Sequence, residues 1–326
     1  MKFVDYIRVV RCAAVVLVLG ALVENAIGQP RTRTANTDRP VKIFIIAGQS
    51  NAKGYNHIKE YNGGHTEFPQ ALRHQSNILF WFGEEDAQKQ ANAWSDLRVA
   101  DSGSFGPEIS FAHDLAAAMP NEQIAIIKCA VGGTGIARSV DYSDYILSLQ
   151  GFKDRGKNWH SPSEGQKGGL LFQWLIKNVH DAQAALDRRE AQWELAGCLW
   201  MQGEHEAGIS RKMAMDYDKL LADFIGAVRR DLKTPSLPFL IGEVNSHNWA
   251  YGDLVRSKQA KVCRDDAHAV LVKTTDLSRK GSGGASHFDA DGMLELGSRF
   301  AKALSSLAGI DKTEHVPPPE HASGGN

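Results

Sequence analysis

The sequence contains few cysteines, and they lie far apart along the chain. Its 326 residues include four, at positions 12, 129, 198 and 263, and no two of them have the Cys-x-x-Cys spacing. Zinc ribbons and thioredoxin-type redox sites need that spacing or a His/Cys cluster, so the pattern argues against both. Cys129 and Cys198 fall in apolar, strand-like runs, where they form a disulfide if their strands are neighbours and otherwise remain buried thiols. We favour buried free thiols.

Strong charge of either sign is also lacking. The chain carries 37 Lys and Arg against 38 Asp and Glu, which gives a formal net charge of -1, and the two signs are mixed along the sequence. Proteins that bind nucleic acid or an anionic membrane surface concentrate basic residues in a patch or a tail. We therefore expect no nucleic acid and no anionic membrane surface among the partners.

Long apolar runs are confined to the N-terminal end. Residues 1–28 combine basic residues, an apolar core at 12–23 and small residues near Gly28, which is the three-part pattern of a secretory signal peptide. This core is shorter than the roughly 20 residues of a membrane-spanning helix, so an uncleaved anchor is the less favoured alternative. We expect cleavage near Gly28–Gln29 and a secreted or periplasmic protein without an integral membrane domain.

Both ends of the remaining chain are polar. Residues 29–40 are predicted to be a linker, and residues 311–326, with three consecutive prolines and little apolar content, are predicted to be a disordered tail. The region 41–310 is long enough for one large domain with a full core, and it shows no internal repeat.

Short apolar runs alternate with helical patterns throughout this region. The predicted strands are 42–47, 123–131, 195–201, 237–244 and 269–275, and the predicted helices are 107–118, 168–188, 211–231, 252–265 and 292–308. This alternation predicts an α/β fold, a three-layer α/β/α sandwich around a parallel sheet of about five strands. Two long irregular stretches, 55–105 and 137–166, contain aromatic residues that either stack on sugar rings or pack beside the core.

Residues suited to acyl transfer follow several of the predicted strands. Ser50 follows the first strand, a glycine cluster at 132–135 follows the second, and Gln202 and Glu204 follow the third, while His287 precedes the last helix. Taken alone, Ser50 is also typical of an ordinary strand-to-helix turn, and His287 of a helix cap or a core histidine. The glycine cluster lacks the spacing of a phosphate-binding loop. Together they supply a hydroxyl nucleophile, amide donors for an oxyanion and a histidine base.

In chain order, these and further motifs resemble one known family. They are Gly48-Gln49-Ser50-Asn51, Gly106-Pro107-Glu108, Lys128 with Gly132-Gly133-Thr134, Trp200-x-Gln202-Gly203-Glu204, Val255-Arg256-x-x-Gln259, and His287-Phe288-Asp289 followed by Gly292, Glu295, Leu296 and Gly297. Over most of residues 42–308 the chain resembles the SGNH/GDSL hydrolase superfamily, and within it the sialate O-acetylesterase domain of carbohydrate esterase family 6. The resemblance implies a flavodoxin-like three-layer fold. It also implies a serine esterase, without metal or cofactor, that removes O-acetyl groups from carbohydrates such as xylan or sialic acid.

The resemblance further implies a role for each matching residue. Ser50 is expected to be the nucleophile and His287 the general base. The backbone N–H groups of Ser50 and Gly132 and the side-chain amide of Gln202 are expected to stabilise the oxyanion. The residues expected to contact substrate are Asn51 and Gly133.

One position departs from the family pattern. The family places the triad aspartate three residues before the histidine, where this chain has Gly284. Three alternatives follow: Glu204 orients His287, a backbone carbonyl does so, or the site is a weakened, carbohydrate-binding relic of an esterase. We favour Glu204.

Three nearby residues complete the sequence-based expectations. Asp289 is expected to support the start of the last helix rather than the histidine. Glu206 stands where the family has aspartate, and we expect it to have a structural role only. Gln49 stands where Gly-Asp-Ser-Leu lipases have aspartate, which argues against a lipase.

Overall fold

The computed structural model describes residues 39–83, 93–138, 141, 160–163, 165–245, 249–280 and 287–307. All of them belong to the compact unit that begins at Asp38. The predicted signal peptide at 1–28, nearly all of the linker at 29–40 and the tail at 311–326 lie outside the described residues, so these assignments stay predictions. Within the described ranges, no helix combines the length and the apolar character that a membrane span needs.

In the part of the chain that the structure describes, seven strands form one mostly parallel sheet, in the order β4-β3-β6-β1-β7-β8-β9. The strands in chain order are β1 Val41–Gly48, β2 Asn56–His57, β3 His74–Gly83, β4 Ser95–Arg98, β5 Ser104–Phe105, β6 Ile124–Ala130, β7 Trp193–Met201, β8 Phe239–Gly242 and β9 Ala269–Val272. Neighbours in the sheet are parallel except for β3 and β4, and β2 and β5 form a separate antiparallel pair.

Helices cover both faces of the sheet. They are α1 Ser50–Lys53, α2 Gln70–Arg73, α3 Glu108–Ala118, α4 Leu170–Asp187, α5 Glu204–Ile209, α6 Arg211–Asp231, α7 Gly252–Asp265 and α8 Ala290–Leu307, with a 3₁₀ segment at Ile58–Gly64. Alternate residues of β1 point to opposite faces. Ile43 and Ile45 pack in the core with α4, α6 and α7, whereas Phe44 and Ile46 pack in the core with α3 and α8.

The predicted fold class, a three-layer α/β/α sandwich, is therefore confirmed. The five predicted strands correspond to β1, β6, β7, β8 and β9, and the five predicted helices agree with α3, α4, α6, α7 and α8 to within two residues at each end. The sheet is larger than expected, because β3 and β4 lie inside the stretch 55–105 that was expected to be irregular.

The order of the strands reverses at β1. After β1 the chain builds β3 and β6 on one side, and it then crosses to build β7, β8 and β9 on the other side. Open α/β sheets bind their ligands at the carboxyl ends of the strands beside such a reversal. The ends of β6, β1 and β7 therefore define where a site is expected.

The two cysteines of the sheet are free thiols, as favoured from the sequence. Cys129 of β6 lies opposite Ala47 of β1, and Cys198 of β7 lies opposite Ile45 of β1, so β1 separates the two cysteines. Two strand spacings amount to about 9.6 Å, which exceeds the reach of a disulfide, whose Cα atoms lie within about 7 Å. Burial raises the pKa of both thiols, so both remain protonated and unreactive.

Candidate active site

The nucleophile candidate lies on a sharp turn at the end of the central strand. β1 ends at Gly48, whose φ is +132°, and a Cβ added there would lie only 2.1 Å from the carbonyl oxygen of Met201. The backbone N–H of Gln49 donates to that same oxygen at 2.9 Å. Only glycine fits this close approach of β1 to β7. The turn delivers Ser50, 7% exposed, as the first residue of α1.

The glycine cluster after β6 lies against the same strand end. The backbone N–H of Val131 donates to the carbonyl oxygen of Gly48 at 3.1 Å, which joins the ends of β6 and β1. A Cβ at Gly132 would lie 2.5 Å from the hydroxyl of Tyr55, and Gly133 has a φ of +71°. Within the described part of the chain, no acceptor faces the backbone N–H of Ser50 or of Gly132. Both groups are thus available to an oxyanion.

The base candidate, His287, lies beside an aromatic ring and a cation. Its ring centroid is 5.5 Å from that of Tyr55, and its carbonyl oxygen accepts from the backbone N–H of Lys280 at 3.1 Å. Burial, and to a lesser degree the charge of Lys280, lowers the pKa of His287 below its usual 6.5. The imidazole is therefore neutral at neutral pH, which is the form that accepts a proton.

Two asparagines hold the segment that carries His287. The side-chain oxygen of Asn51 accepts from the backbone N–H of Phe288 at 3.4 Å, and the side-chain amide of Asn56 donates to the carbonyl oxygen of Phe288 at 2.8 Å. Asn51 and Asn56 are 1% and 0% exposed, so these hydrogen bonds are shielded from water. They join the segments that carry Ser50 and His287, the two predicted residues that lie farthest apart in sequence.

The contacts of Glu204 lead to Asn51. Its Oε1 accepts from the side-chain amide of Asn51 at 2.8 Å, and its Oε2 is buried without a hydrogen-bond partner among the described residues. Burial is the main cause that raises the pKa of Glu204 to about 7. No hydrogen bond within the described residues joins Glu204 to the imidazole of His287, and Gly284 lies outside them. The role of Glu204 as orienting acid therefore stays a prediction.

The amide of Gln202 lies in a buried network at the end of β7. Its Oε1 accepts from the hydroxyl of Tyr217 at 2.8 Å. Its Nε2 donates to Oε2 of Glu206 at 2.6 Å, to the carbonyl oxygen of Thr134 at 3.1 Å and to Oε1 of Gln49 at 3.3 Å. To stabilise an oxyanion, as predicted, this amide has to exchange one of these three acceptors for the oxyanion.

Two acidic residues have the structural roles expected from the sequence. Glu206 is fully buried, and its Oε1 accepts from the backbone N–H groups of Ile136 and Ala137 at 2.6 and 3.3 Å, which fixes the loop after the glycine cluster. Oδ1 of Asp289 accepts from the backbone N–H of Gly292 at 2.8 Å, at the start of α8. The expected support of the last helix by Asp289 is thus confirmed.

Sequence reasoning missed two residues of this site, Tyr55 and Asn56. Tyr55 lies in the turn after α1 and Asn56 begins the two-residue strand β2, a region where no periodicity or motif distinguishes one polar or aromatic residue from the next. Their contacts with Gly132, His287 and Phe288 depend on segments that are distant in sequence, so the sequence carries no local signal for them.

Comparison with known proteins agrees with this arrangement. The sequence model of one family, described as carbohydrate esterase, sialic acid-specific acetylesterase, matches residues 40–306. The chain belongs to this family. The predicted resemblance is thereby confirmed, and the protein is a carbohydrate esterase, a hydrolase that acts on acetyl esters. No curated relative matches the sequence.

Solved structures share the fold of this esterase. A protein from Arabidopsis thaliana is 22% identical, with a TM-score of 0.60 over 82% of this chain and 99% of its own. A carbohydrate acetylesterase from Xanthomonas citri is 19% identical, with a TM-score of 0.56 over 82% of this chain and 56% of its own. NanS is 17% identical, with a TM-score of 0.58 over 82% of this chain and 98% of its own. At these identities the similarity establishes the common fold.

Proposed function

We propose that this protein is an exported carbohydrate O-acetylesterase that works through an acyl-serine intermediate on Ser50. Membership of the family supports an acetylated carbohydrate as the substrate. One observation supports the mechanism above all others: the side chain of Asn51, adjacent to Ser50, accepts a hydrogen bond from the backbone of Phe288, adjacent to His287. This hydrogen bond links the segments that carry Ser50 and His287, which we propose as nucleophile and base.

The proposed reaction has two acyl transfers. The hydroxyl oxygen of Ser50 attacks the acetyl carbonyl carbon while His287 takes the hydroxyl proton, and the backbone N–H groups of Ser50 and Gly132 donate to the oxyanion. The ester C–O bond breaks, and the sugar hydroxyl leaves with the proton from His287. Water, deprotonated by His287, then attacks the acetyl-serine and releases acetate and free Ser50.

Hydrolysis of p-nitrophenyl acetate and of acetylated xylose tests this proposal. We expect Ser50→Ala to lower kcat at least about 10³-fold on both substrates, because removing the nucleophile removes the covalent route. Ser305→Ala is the matched control, since Ser305 is also buried, at 5% exposure, but lies in α8. Equal hydrolysis by wild type and Ser50→Ala would refute the mechanism.

The orienting role of Glu204 needs a separate test. Glu204→Gln keeps an oxygen for Asn51 but cannot hold the charged imidazolium, so a large loss of kcat is expected if Glu204 is the triad acid. Gly284→Asp restores the usual family aspartate and is then expected to raise kcat in the Glu204→Gln background. Full activity of Glu204→Gln would show that the acid lies elsewhere or is absent.

A second candidate function is a carbohydrate-binding protein that has lost turnover. It is favoured by the absence of any carboxylate hydrogen-bonded to His287 among the described residues. Labelling with a serine-directed phosphonate separates the two functions, because an active site labels Ser50 and a relic does not. Sugar binding without labelling would favour the binding protein.

A further inference from the structure

A groove of about 650 Å³ lies beside the candidate active site, between the end of α1 and the antiparallel strands β3 and β4. We call it the edge groove, and the residues that define it are Tyr55, Phe80, Phe82, Asp96, Arg98 and Ser102. Its volume lies within the roughly 300–1,000 Å³ of sites that bind small molecules.

Tyr55 separates the edge groove from the catalytic residues. The centroid of its ring lies 5.5 Å from that of His287. Its hydroxyl fills the space where Gly132 lacks a side chain. Tyr55 is 47% exposed, so a ligand can reach its free surface. A molecule bound at Ser50 therefore meets the edge groove as soon as it extends past Tyr55.

The wall of the groove on β3 is aromatic. Phe80 and Phe82 point to the same face of the sheet, their ring centroids are 5.9 Å apart, and their planes differ by 14°. Both rings are only partly buried, in contrast to Trp81 between them, which points into the core on the other face and is 3% exposed. The two stacked, partly accessible rings thus give this wall an apolar aromatic surface, against which the C–H face of a pyranose ring can pack.

A buried ion pair forms the floor. Nζ of Lys128 lies 2.6 Å from Oε2 of Glu108, and the two side chains are 5% and 6% exposed. Lys128 also lies 5.8 Å from the centroid of the Phe82 ring, next to which β6 places it. Glu108 accepts in addition from the backbone N–H of Gly106 at 3.0 Å. The floor is thus built from polar groups that hold one another in place.

The charges along the groove are balanced and mostly paired. Three basic and three acidic side chains line it. Apart from the pair in the floor, Arg98 lies 3.7 Å from Asp101, and Asp96 lies 3.0 Å from His74. The three acidic side chains repel a carboxylate on a sugar while the three basic ones attract it, so the groove offers no net preference for an anion. Hydroxyl groups can donate to Asp and accept from Arg without separating the pairs.

We propose that the edge groove binds the uncharged sugar residues next to the acetylated one, so that the substrate is a neutral glycan chain rather than a free monosaccharide. The proposal rests on the proposed function for the acetylated sugar at Ser50. Phe80 and Phe82 supply the stacking surface, Tyr55 is the boundary between the two sugar positions, and Asp96 and Arg98 bind hydroxyl groups at the rim.

Steady-state kinetics on three substrates tests the proposal: acetylated xylotetraose, acetylated xylose and p-nitrophenyl acetate. Phe80→Leu and Phe82→Leu keep apolar volume but remove the ring face. An aromatic stacking contact contributes about 0.5–1.5 kcal/mol, so we expect kcat/KM on the tetrasaccharide to fall up to about tenfold. On the other two substrates we expect no change.

The matched control is Trp193→Leu. Trp193 is a partly buried aromatic residue on the same sheet, but it begins β7 and so lies at the opposite end from Ser50. We expect it to leave all three substrates unaffected, and melting temperatures identify any variant that has lost its fold. An unchanged kcat/KM for Phe80→Leu and Phe82→Leu on the tetrasaccharide, or an equal fall on all substrates, overturns the proposal.

Calorimetric binding of unacetylated ligands separates this proposal from the proposed function. We expect xylotetraose to bind the wild-type protein more tightly than xylose and more tightly than the anionic tetragalacturonate. Tighter binding of tetragalacturonate overturns the assignment to a neutral chain. Xylotetraose binding that depends on Phe80 in a protein without esterase activity would refute only the catalytic mechanism. Esterase activity with no preference between xylose and xylotetraose would refute only the groove.

Discussion

Among the described residues, the charge that acts on the pKa of His287 is positive. Lys280 lies beside it and is itself held by Glu60 at 2.9 Å and by the carbonyl oxygen of Tyr55 at 2.7 Å. A positive neighbour disfavours the imidazolium, which keeps the base neutral but also destabilises the charged form that arises in the transition state. His287 is therefore able to accept a proton at a lower pH than an ordinary histidine, but the imidazolium that then forms is only weakly stabilised.

Replacement of Lys280 tests this balance. The uncharged form of His287 is needed, so activity falls as the pH drops through its pKa, which lies below 6.5 in the fold. Lys280→Met removes a charge that lowers this pKa, so we expect the acid limb of kcat/KM for p-nitrophenyl acetate to move to higher pH. Lys59→Met, at an exposed lysine nearby, is the control. An acid limb that stays in place in Lys280→Met would show that burial alone sets the pKa.

Glu204 is expected to make stability depend on pH. Burial raises its pKa from 4.5 to about 7, so the folded chain binds a proton that the unfolded chain has already lost between these values. Stability therefore falls as the pH rises from 4.5 to 7 and is then constant. Glutamine does not ionise, so the stability of Glu204→Gln does not fall in this pH range. We expect the free energy of unfolding of Glu204→Gln, relative to that of the wild type, to increase between pH 4.5 and 7, by up to about 3 kcal/mol.

Urea unfolding at a series of pH values measures this difference. Glu67→Gln is the control, because it makes the same substitution at an exposed glutamate of the same domain. A difference between Glu204→Gln and wild type that does not change with pH would mean that the carboxyl of Glu204 is already ionised throughout.

At the scale of elements, the sequence predicts the five adjacent strands from β6 to β9 and misses β3 and β4 on one side of the sheet. β1 and β6 are buried on both faces, so their apolar runs are uninterrupted. β4 lies at the edge and buries only Leu97, and β3 begins with polar residues at His74–Asn77 before its apolar half. Neither strand shows the pattern that identifies a buried strand, and the groove between them and α1 could not be predicted.

The residues of the candidate site also fall into a group that the sequence predicts and a group that it misses. Ser50, the glycine cluster, Gln202 and His287 are recognisable because they follow or precede elements with strong patterns. Tyr55 and Asn56 are not, because their importance depends on which distant segment packs against them. Motifs thus identify the reacting groups, and only the packed structure identifies the residues that hold them.

The buried ion pair of Glu108 and Lys128 joins the start of α3 to β6. Lys128→Met leaves the carboxylate of Glu108 buried without its partner, and we expect a loss of about 3–5 kcal/mol in the free energy of unfolding. The double variant Glu108→Gln with Lys128→Met removes both charges and is expected to lose less. Guanidinium unfolding measures the stability of both variants.

The control is Lys177→Met, which breaks an exposed pair with Asp181 and is expected to change stability by less than about 1 kcal/mol. An equally small loss for Lys128→Met would contradict the buried pair.

At the scale of the whole molecule, the position of β1 accounts for both the site and the thiols. The strand order reverses at β1, so the ends of β6, β1 and β7 converge, and Gly132, Ser50 and Gln202 follow these three ends. The same placement of β1 keeps Cys129 and Cys198 apart. These two thiols therefore cannot pair with each other, which matters for a protein that we propose is exported into an oxidising compartment.

Export predicts a specific mature N-terminus. Residues 1–28 have the basic start, apolar core and small residues of a signal peptide, and the domain itself starts only at β1. We expect the full chain, produced in a bacterium, to reach the periplasm with a mass that corresponds to a start near Gln29, as mass spectrometry of the fractions can show. Leu17→Arg places a charge in the apolar core and is expected to leave the chain uncleaved in the cytoplasm, whereas Thr34→Arg, beyond the cleavage point, is the control. Recovery of the complete chain in the membrane fraction would instead favour an uncleaved anchor.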